Sequence, residues 1–144
     1  TRDAVIVILS LLISSKQQSL TLSELTAKLP ERYTYSDRIK QIPTDQSQAL
    51  LADFSSGDEQ ADKNKIQDFF KQQFGTVESF NRTDGLRITF ENGEIIHLRP
   101  SGNAPELRCY SEANDLVRAT KINQQALNLI QSTLARVQKG MDSR

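Results

Sequence analysis

The sequence predicts an α+β fold of two layers, a four-stranded antiparallel sheet with helices packed on one face. Three observations predict it. Leu86, Ile88 and Phe90 alternate with Arg87, Thr89 and Glu91, the period-two pattern of a half-buried strand, and Asn92-Gly93 follows as a two-residue hairpin signal. Upstream, Ile66, Phe69, Phe70 and Phe74 share one helical face. Downstream, Leu116, Ala119, Ile122, Ala126, Leu127, Ile130, Leu134 and Val137 make a long apolar stripe. Helix, meander, helix in that order puts the helices on a single sheet face.

Taken from the N-terminus, Asp3–Ser15 is strongly apolar and reads as a buried helix, although its β-branched run also suits a strand. It is too short to span a bilayer comfortably. A signal peptide has a similar apolar core but wants a basic start, and here Asp3 sits beside Arg2. A helix apolar on all sides belongs in the interior of something larger, so the chain is expected to be a piece of a longer protein. A second helix follows at Leu22–Lys28, with Thr21 and Glu24 at capping-box spacing and Pro30 ending the pattern. Arg32–Ile42, with Tyr33 and Tyr35, reads as an extended crossover. Pro43-Thr44-Asp45 opens a modest helix through Phe54, and Ser55–Asp58 is linker-like. The phenylalanine helix spans about Asp62–Gln73, with Gly75 placed to end it. Strands are then expected at Val77–Asn81, Leu86–Phe90, Glu94–Leu98 and Leu107–Ser111. The last helix lies between Asn114 and Lys139, with Gly140 just past its end.

Composition narrows the function. Eighteen basic residues balance eighteen acidic ones, which argues against a nucleic-acid binder built on a large basic face. One cysteine excludes an internal disulfide and fits a reducing compartment, and one histidine excludes a multi-histidine metal centre.

The chemistry concentrates between the last two strands, in Arg99-Pro-Ser-Gly-Asn-Ala-Pro-Glu-Leu-Arg108. Gly and Pro between apolar runs often mark a plain turn. A loop of small residues also brings backbone N–H groups close to an anion, and arginine adds a planar fork matched to phosphate oxygens. On residue types alone, both readings stand.

Two runs carry a resemblance: Asp84-Gly-Leu-Arg-Ile-Thr-Phe-Glu-Asn-Gly93, and Leu98-Arg-Pro-Ser-Gly-Asn-Ala-Pro-Glu-Leu-Arg-Cys-Tyr-Ser-Glu-Ala113. Together they resemble the C-terminal domain of the α-D-phosphohexomutases, whose corresponding loop usually reads Arg-Pro-Ser-Gly-Thr-Glu-Pro, with an Arg on the next strand. The wording Glu-Leu-Arg-Cys-Tyr is similar to the phosphomannomutase/phosphoglucomutase branch. The resemblance implies a cytoplasmic four-domain enzyme that interconverts hexose 1-phosphate and 6-phosphate through a phosphoserine and a bisphosphorylated intermediate. It implies Mg²⁺, with phosphoserine and metal ligands outside this chain. Residues 1–30 then correspond to the helical tail of the third domain, and 31–140 to the C-terminal phosphate-binding domain. The implied partners are mannose or glucose phosphate and the remaining domains, with neither nucleic acid nor membrane. By the same resemblance, Arg99, Ser101, Gly102, Asn103 and Arg108 hold the non-reacting phosphate. This is positioning and not bond-making. Asn103 stands where the family usually has Thr and can still donate to phosphate. Ala104 replaces the usual Glu and removes a carboxylate beside the loop.

The other chemical candidates read as structure. His97 is a partly exposed sheet residue, and Cys109 a small buried hydrophobe. Asp58, Glu59 and Asp62 are a solvated loop and helix start. Glu106 and Glu112 lack a carboxylate partner for acid–base work. The rival from another class is a non-enzymatic module binding protein or nucleic acid, which needs a sheet face with exposed aromatics or a basic stripe. The Leu86/Ile88/Phe90 face reads as core instead.

Overall fold

The computed structural model describes the backbone of residues 4–141 and side chains as far as residue 136. The expected helix start at Asp3 and the stripe position Val137 lie outside the described residues. The chain divides into two units, residues 1–31 and 32–144.

In the first unit, α1 (Ala4–Gln18) is a helix, so the strand alternative is excluded. None of its residues is buried: Val5 through Leu9 and Leu11 through Ile13 are all exposed. The burial that the sequence leads one to expect is burial inside a larger protein; within this chain the helix is exposed. The five-residue α2 (Leu22–Thr26) is too small to cover three turns of apolar surface. The capping box is present, with the Glu24 N–H donating to Thr21 Oγ1 (3.3 Å) and the Thr21 N–H to the Glu24 carboxylate (2.7 Å). Among the described residues no helix is long and apolar enough to cross a membrane.

The second unit contains β1 (Tyr33–Lys40), α3 (Thr44–Ala52), α4 (Glu59–Phe74), β2 (Val77–Asn81), β3 (Leu86–Phe90), β4 (Ile95–Pro100), β5 (Glu106–Ala113) and α5 (Leu116–Met141). All pairings are antiparallel, in the order β1-β5-β4-β3-β2. The α+β class and the meander are as the sequence predicts, but the sheet has five strands. The expected crossover pairs with β5 along its whole length, from Tyr33 opposite Ala113 to Lys40 opposite Glu106. As an edge strand it buries only Ile39, so it lacks the apolar alternation that announces a strand.

The turn after β3 also differs in detail. Gly93 N–H closes it onto the Phe90 carbonyl (2.8 Å), and Gly93, not Asn92, takes the left-handed conformation (φ +78°). The loop is thus the three-residue kind with a glycine bulge. At the C-terminus, α5 continues past Gly140 to Met141, because a glycine inside a helix costs only about 1 kcal/mol. Leu116, counted in the apolar stripe, is exposed at the start of α5.

One sheet face packs against the helices. Leu86, Ile88, Phe90, Ile96, Leu98, Leu107 and Cys109 meet Ile66, Phe70 and Phe74 of α4 and Ala119, Ile122, Ala126 and Ile130 of α5 in one core. The phenylalanines form a chain of edge contacts that ends with Phe74 stacked on Phe90, ring centres 5.2 Å apart. Asn123, fully buried on α5, donates to the Cys109 carbonyl (2.9 Å) and to Ser111 Oγ (3.2 Å). Ser111 Oγ donates to the Ala119 carbonyl (2.8 Å). These bonds fix β5 against α5 and so set the orientation of the strand that carries Arg108.

At the acidic start of α4, Asp58 and Glu59 are exposed as the sequence suggests, but Asp62 is not. Asp58 caps the helix, accepting from the N–H groups of Gln60 (2.9 Å) and Ala61 (3.1 Å). Asp62 is buried, accepts from Ser56 N–H and Oγ (both 2.7 Å), and pairs with Arg82. The Ser56 N–H is the main cause holding its carboxyl down at about 2, against an ordinary 3.8. A carboxyl depressed in the folded state stabilises fully above its unfolded value, and that contribution disappears as pH falls through about 2. In acid titrations of stability, Asp62→Asn is expected to start lower at neutral pH and to lose less than the parent below pH 3.8. Equal acid slopes in the two proteins would contradict this role.

Candidate functional site

Strand alternation sends Leu98, Leu107 and Cys109 to the core and turns His97, Arg99, Arg108 and Tyr110 to the opposite face, where they stay half-exposed. Register then aligns them. Arg108 on β5 stands directly across from Arg99 on β4 and from Arg38 on β1. Three adjacent strands thus present three arginines in one row beside the β4–β5 loop. Sequence reasoning brought Arg99 and Arg108 together but missed Arg38, whose position shows only once β1 is known to pair with β5.

The loop is the five residues Ser101–Pro105. It is closed by Ser101 N–H on the Glu106 carbonyl (3.0 Å) and tied to the β1–α3 connection by Ile42 N–H on the Pro105 carbonyl (3.0 Å). Glu106 N–H turns back to the Ala104 carbonyl (2.8 Å). Ser101 is buried, and its Oγ accepts from the Asn103 N–H at 3.4 Å, so its hydroxyl is less openly presented than the sequence implied. Gly102 and Asn103 are exposed. Gly102 does not take a left-handed φ, and a Cβ built on it would meet nothing within 4 Å. Its backbone therefore faces open space on the loop's outer side, as a site for close backbone approach requires.

Carboxylates hold the arginines. Arg99 Nε pairs with Asp84 Oδ1 (2.9 Å). Arg108 Nε and Nη2 both reach Glu106 Oε1 (2.9 Å), while the second Glu106 oxygen lies 3.4 Å from Arg38 Nε. Hydrogen bonding to Glu106, and then to Tyr110, pushes the Arg108 guanidinium above its ordinary value, so its charge is permanent. Each guanidinium still has N–H groups to offer, since a guanidinium carries five.

The Asp84-Gly85 turn supports this row from the β3 side. The Asp84 carbonyl accepts from His97 Nε2 at 2.5 Å. Gly85 has φ +87°, and a Cβ there would come within 2.2 Å of the Leu98 carbonyl, so only glycine lets the turn lie against β4 beside Arg99. Sequence reasoning gave this turn no part in the site; the Asp-Gly dipeptide was its only local signal. His97 is anchored to the turn, and its ring lies 5.7 Å from that of Tyr110.

Cys109 is fully buried, and burial pushes its thiol up to about 12, so it offers no nucleophile at neutral pH. Glu112 pairs with Arg32 (2.9 Å). Among the described residues no three His, Cys, Asp or Glu side chains gather where they would hold a metal. What the arrangement can do is hold an anion by charge and by N–H donation.

The model of the phosphoglucomutase/phosphomannomutase C-terminal domain matches residues 28–129 of this chain. A phosphomannomutase of Salmonella muenchen is 44% identical over 94% of the chain and 27% of its own length. A phosphomannomutase of Sinorhizobium fredii is 39% identical over 93% of the chain and 27% of its own length. The chain thus spans about a quarter of the length of these relatives.

Proposed function

The chain belongs to the phosphoglucomutase/phosphomannomutase family through its C-terminal domain, and from that premise we propose that it grips the phosphate of a hexose phosphate. The observation that carries this reading is the pairing of Arg99 with Arg108 on one sheet face, beside a loop whose Gly102 backbone is open. Arg99 and Arg108 supply the charged forks, while the backbone N–H of exposed Gly102 and the side-chain amide of exposed Asn103 supply further donors. Ser101 shapes the loop and contributes its hydroxyl. A hydrogen bond to a charged group is worth roughly 1.5–3 kcal/mol net, and several of them outweigh the Asp84 and Glu106 contacts an incoming phosphate must share.

Under this reading the chain is the last part of a cytoplasmic phosphomannomutase/phosphoglucomutase, mannose phosphate being the better-supported substrate because both relatives above are named phosphomannomutase. Residues 1–30 are the helical tail of the preceding domain, and residues 31–140 are the phosphate-binding domain. The phosphoserine that exchanges its phosphoryl group with the sugar, and the Mg²⁺ beside it, belong to other domains. This domain holds the phosphate that does not react. The lone unpaired cysteine suits a reducing compartment.

An isomerase assay tests the division of labour. The full-length protein is expected to convert mannose 1-phosphate to mannose 6-phosphate, and the 144-residue chain alone to convert none. Failure of the full-length protein on both mannose and glucose phosphates would remove the assigned reaction. Turnover by the chain alone would show that the chemistry lies here.

A further inference from the structure

Arg38 faces the same row as the two arginines of the proposed grip, yet no motif marks it. We infer that Arg38 is a third guanidinium of the phosphate site, held in place by Glu106. The inference rests on the phosphate reading above and adds a residue that the sequence motif does not contain.

Three observations carry it. The first is position. Arg38 is the direct cross-strand partner of Arg108, which is the partner of Arg99. Strands lie about 4.8 Å apart, so the three backbones span roughly 10 Å, within reach of long side chains converging on one anion. The second is Glu106. Its side chain is only 10% exposed, and its two oxygens are divided between Arg108 (2.9 Å) and Arg38 (3.4 Å). Two guanidiniums on adjacent strands repel each other, and a nearly buried carboxylate between them removes that repulsion while fixing both heads. The third is access. The Arg38 side chain is 48% exposed, and it lines an open depression of about 420 Å³ with Ser36, Asp37, Arg108 and Tyr110. Glu106 meets Arg38 through Nε, so the guanidinium of a residue lining that space keeps further N–H groups to donate.

The chemistry selects the ligand class. Asp84, Glu106 and Asp37 balance the charge of the three guanidiniums, so the row attracts an anion through the guanidinium N–H donors that these carboxylates leave over. A phosphate monoester offers three charged oxygens, more than one arginine fork can engage. Arg108 stands between Arg99 and Arg38 in the row, so the third fork extends the grip toward the sheet edge. An ordinary edge ion pair between Arg38 and Glu106 would make no such contribution.

The test titrates inorganic phosphate into the 144-residue chain while following backbone amides and arginine Nε–H signals by NMR. The parent, Arg38→Gln, Arg38→Lys and Arg99→Ala are compared. Saturable shifts at Gly102 and at the Nε–H of Arg38, Arg99 and Arg108 are expected in the parent. Arg38→Gln should weaken phosphate about fivefold to tenfold with an otherwise native spectrum, and Arg38→Lys should recover part of the loss by charge alone. If Arg38→Gln binds as the parent does while Arg99→Ala loses binding, the role of Arg38 is overturned and the phosphate grip stands. Equal losses in Arg38→Gln and Arg38→Lys together with a collapsed spectrum would assign Arg38 a structural role instead. If the parent itself shows no shift at tens of millimolar phosphate, the grip and this inference fall together.

Discussion

Replacing Arg99 with alanine in the full-length protein is expected to raise KM for hexose phosphate about tenfold to a hundredfold, the equivalent of roughly 1.5–3 kcal/mol from lost charge-assisted hydrogen bonds. Loading of the phosphoserine should be unchanged, because under the proposal Arg99 touches the phosphate that stays in place. Arg99 sits at the end of β4, next to the loop, with its Nε on Asp84 and the rest of its fork exposed. Its removal also frees Asp84, which adds an unpaired negative charge where the anion must bind. Arg99→Lys should recover only part of the loss, since an ammonium cannot reproduce the two-pronged contact. Unchanged KM and kcat in Arg99→Ala would remove this residue from the grip.

Gly85→Ala should be the most destabilising conservative change at the site, by about 2–5 kcal/mol. Left-handed backbone costs a non-glycine residue roughly 1–2 kcal/mol, and forced overpacking roughly 1–3 more. The added methyl has nowhere to go, since it would lie 2.2 Å from the backbone oxygen of Leu98. Either the Asp84-Gly85 turn lifts away from β4 or β4 shifts, and both movements disturb the residue after Leu98, which is Arg99. Gly102→Ala is the matching control. With no left-handed φ and nothing within 4 Å of its Cβ, it should change stability by less than about 0.5 kcal/mol. Its methyl would still stand where a phosphate approaches the loop, so binding should weaken. Denaturant midpoints of both variants, read beside their phosphate affinities, check the pair. A stable Gly85→Ala would mean that the turn does not press on β4.

Much of the fold was legible because burial imprints periodicity. The alternation through Leu86, Ile88 and Phe90 and the phenylalanine face of α4 each reflect side chains that are buried in one core. Where burial is slight, the signal fades. The edge strand β1 hides one residue of eight and looked like a crossover. The apolar run of α1 suits a helix or a strand by sequence and folds as a helix, while its burial depends on what packs against it, which no local pattern contains.

The candidate site divides the same way. Arg99, the Ser101–Asn103 loop and Arg108 lie within ten residues of one another and could be read together as a motif. Arg38, Asp84 and Glu106 enter through cross-strand register and ion pairing over long sequence distances. Asp62 was misread for a related reason. Its partners, Ser56 and Arg82, come from two different loops, and a helix-start aspartate looks solvated until those loops close over it.

The most direct test of the central claim is an amide NMR titration of the 144-residue chain with mannose 1-phosphate and glucose 1-phosphate. The account predicts saturable shifts centred on Arg99–Arg108, with affinity near millimolar, about 4 kcal/mol, because one domain supplies only part of a cleft. No shift at tens of millimolar of either sugar phosphate, or shifts that bypass this loop, would contradict it.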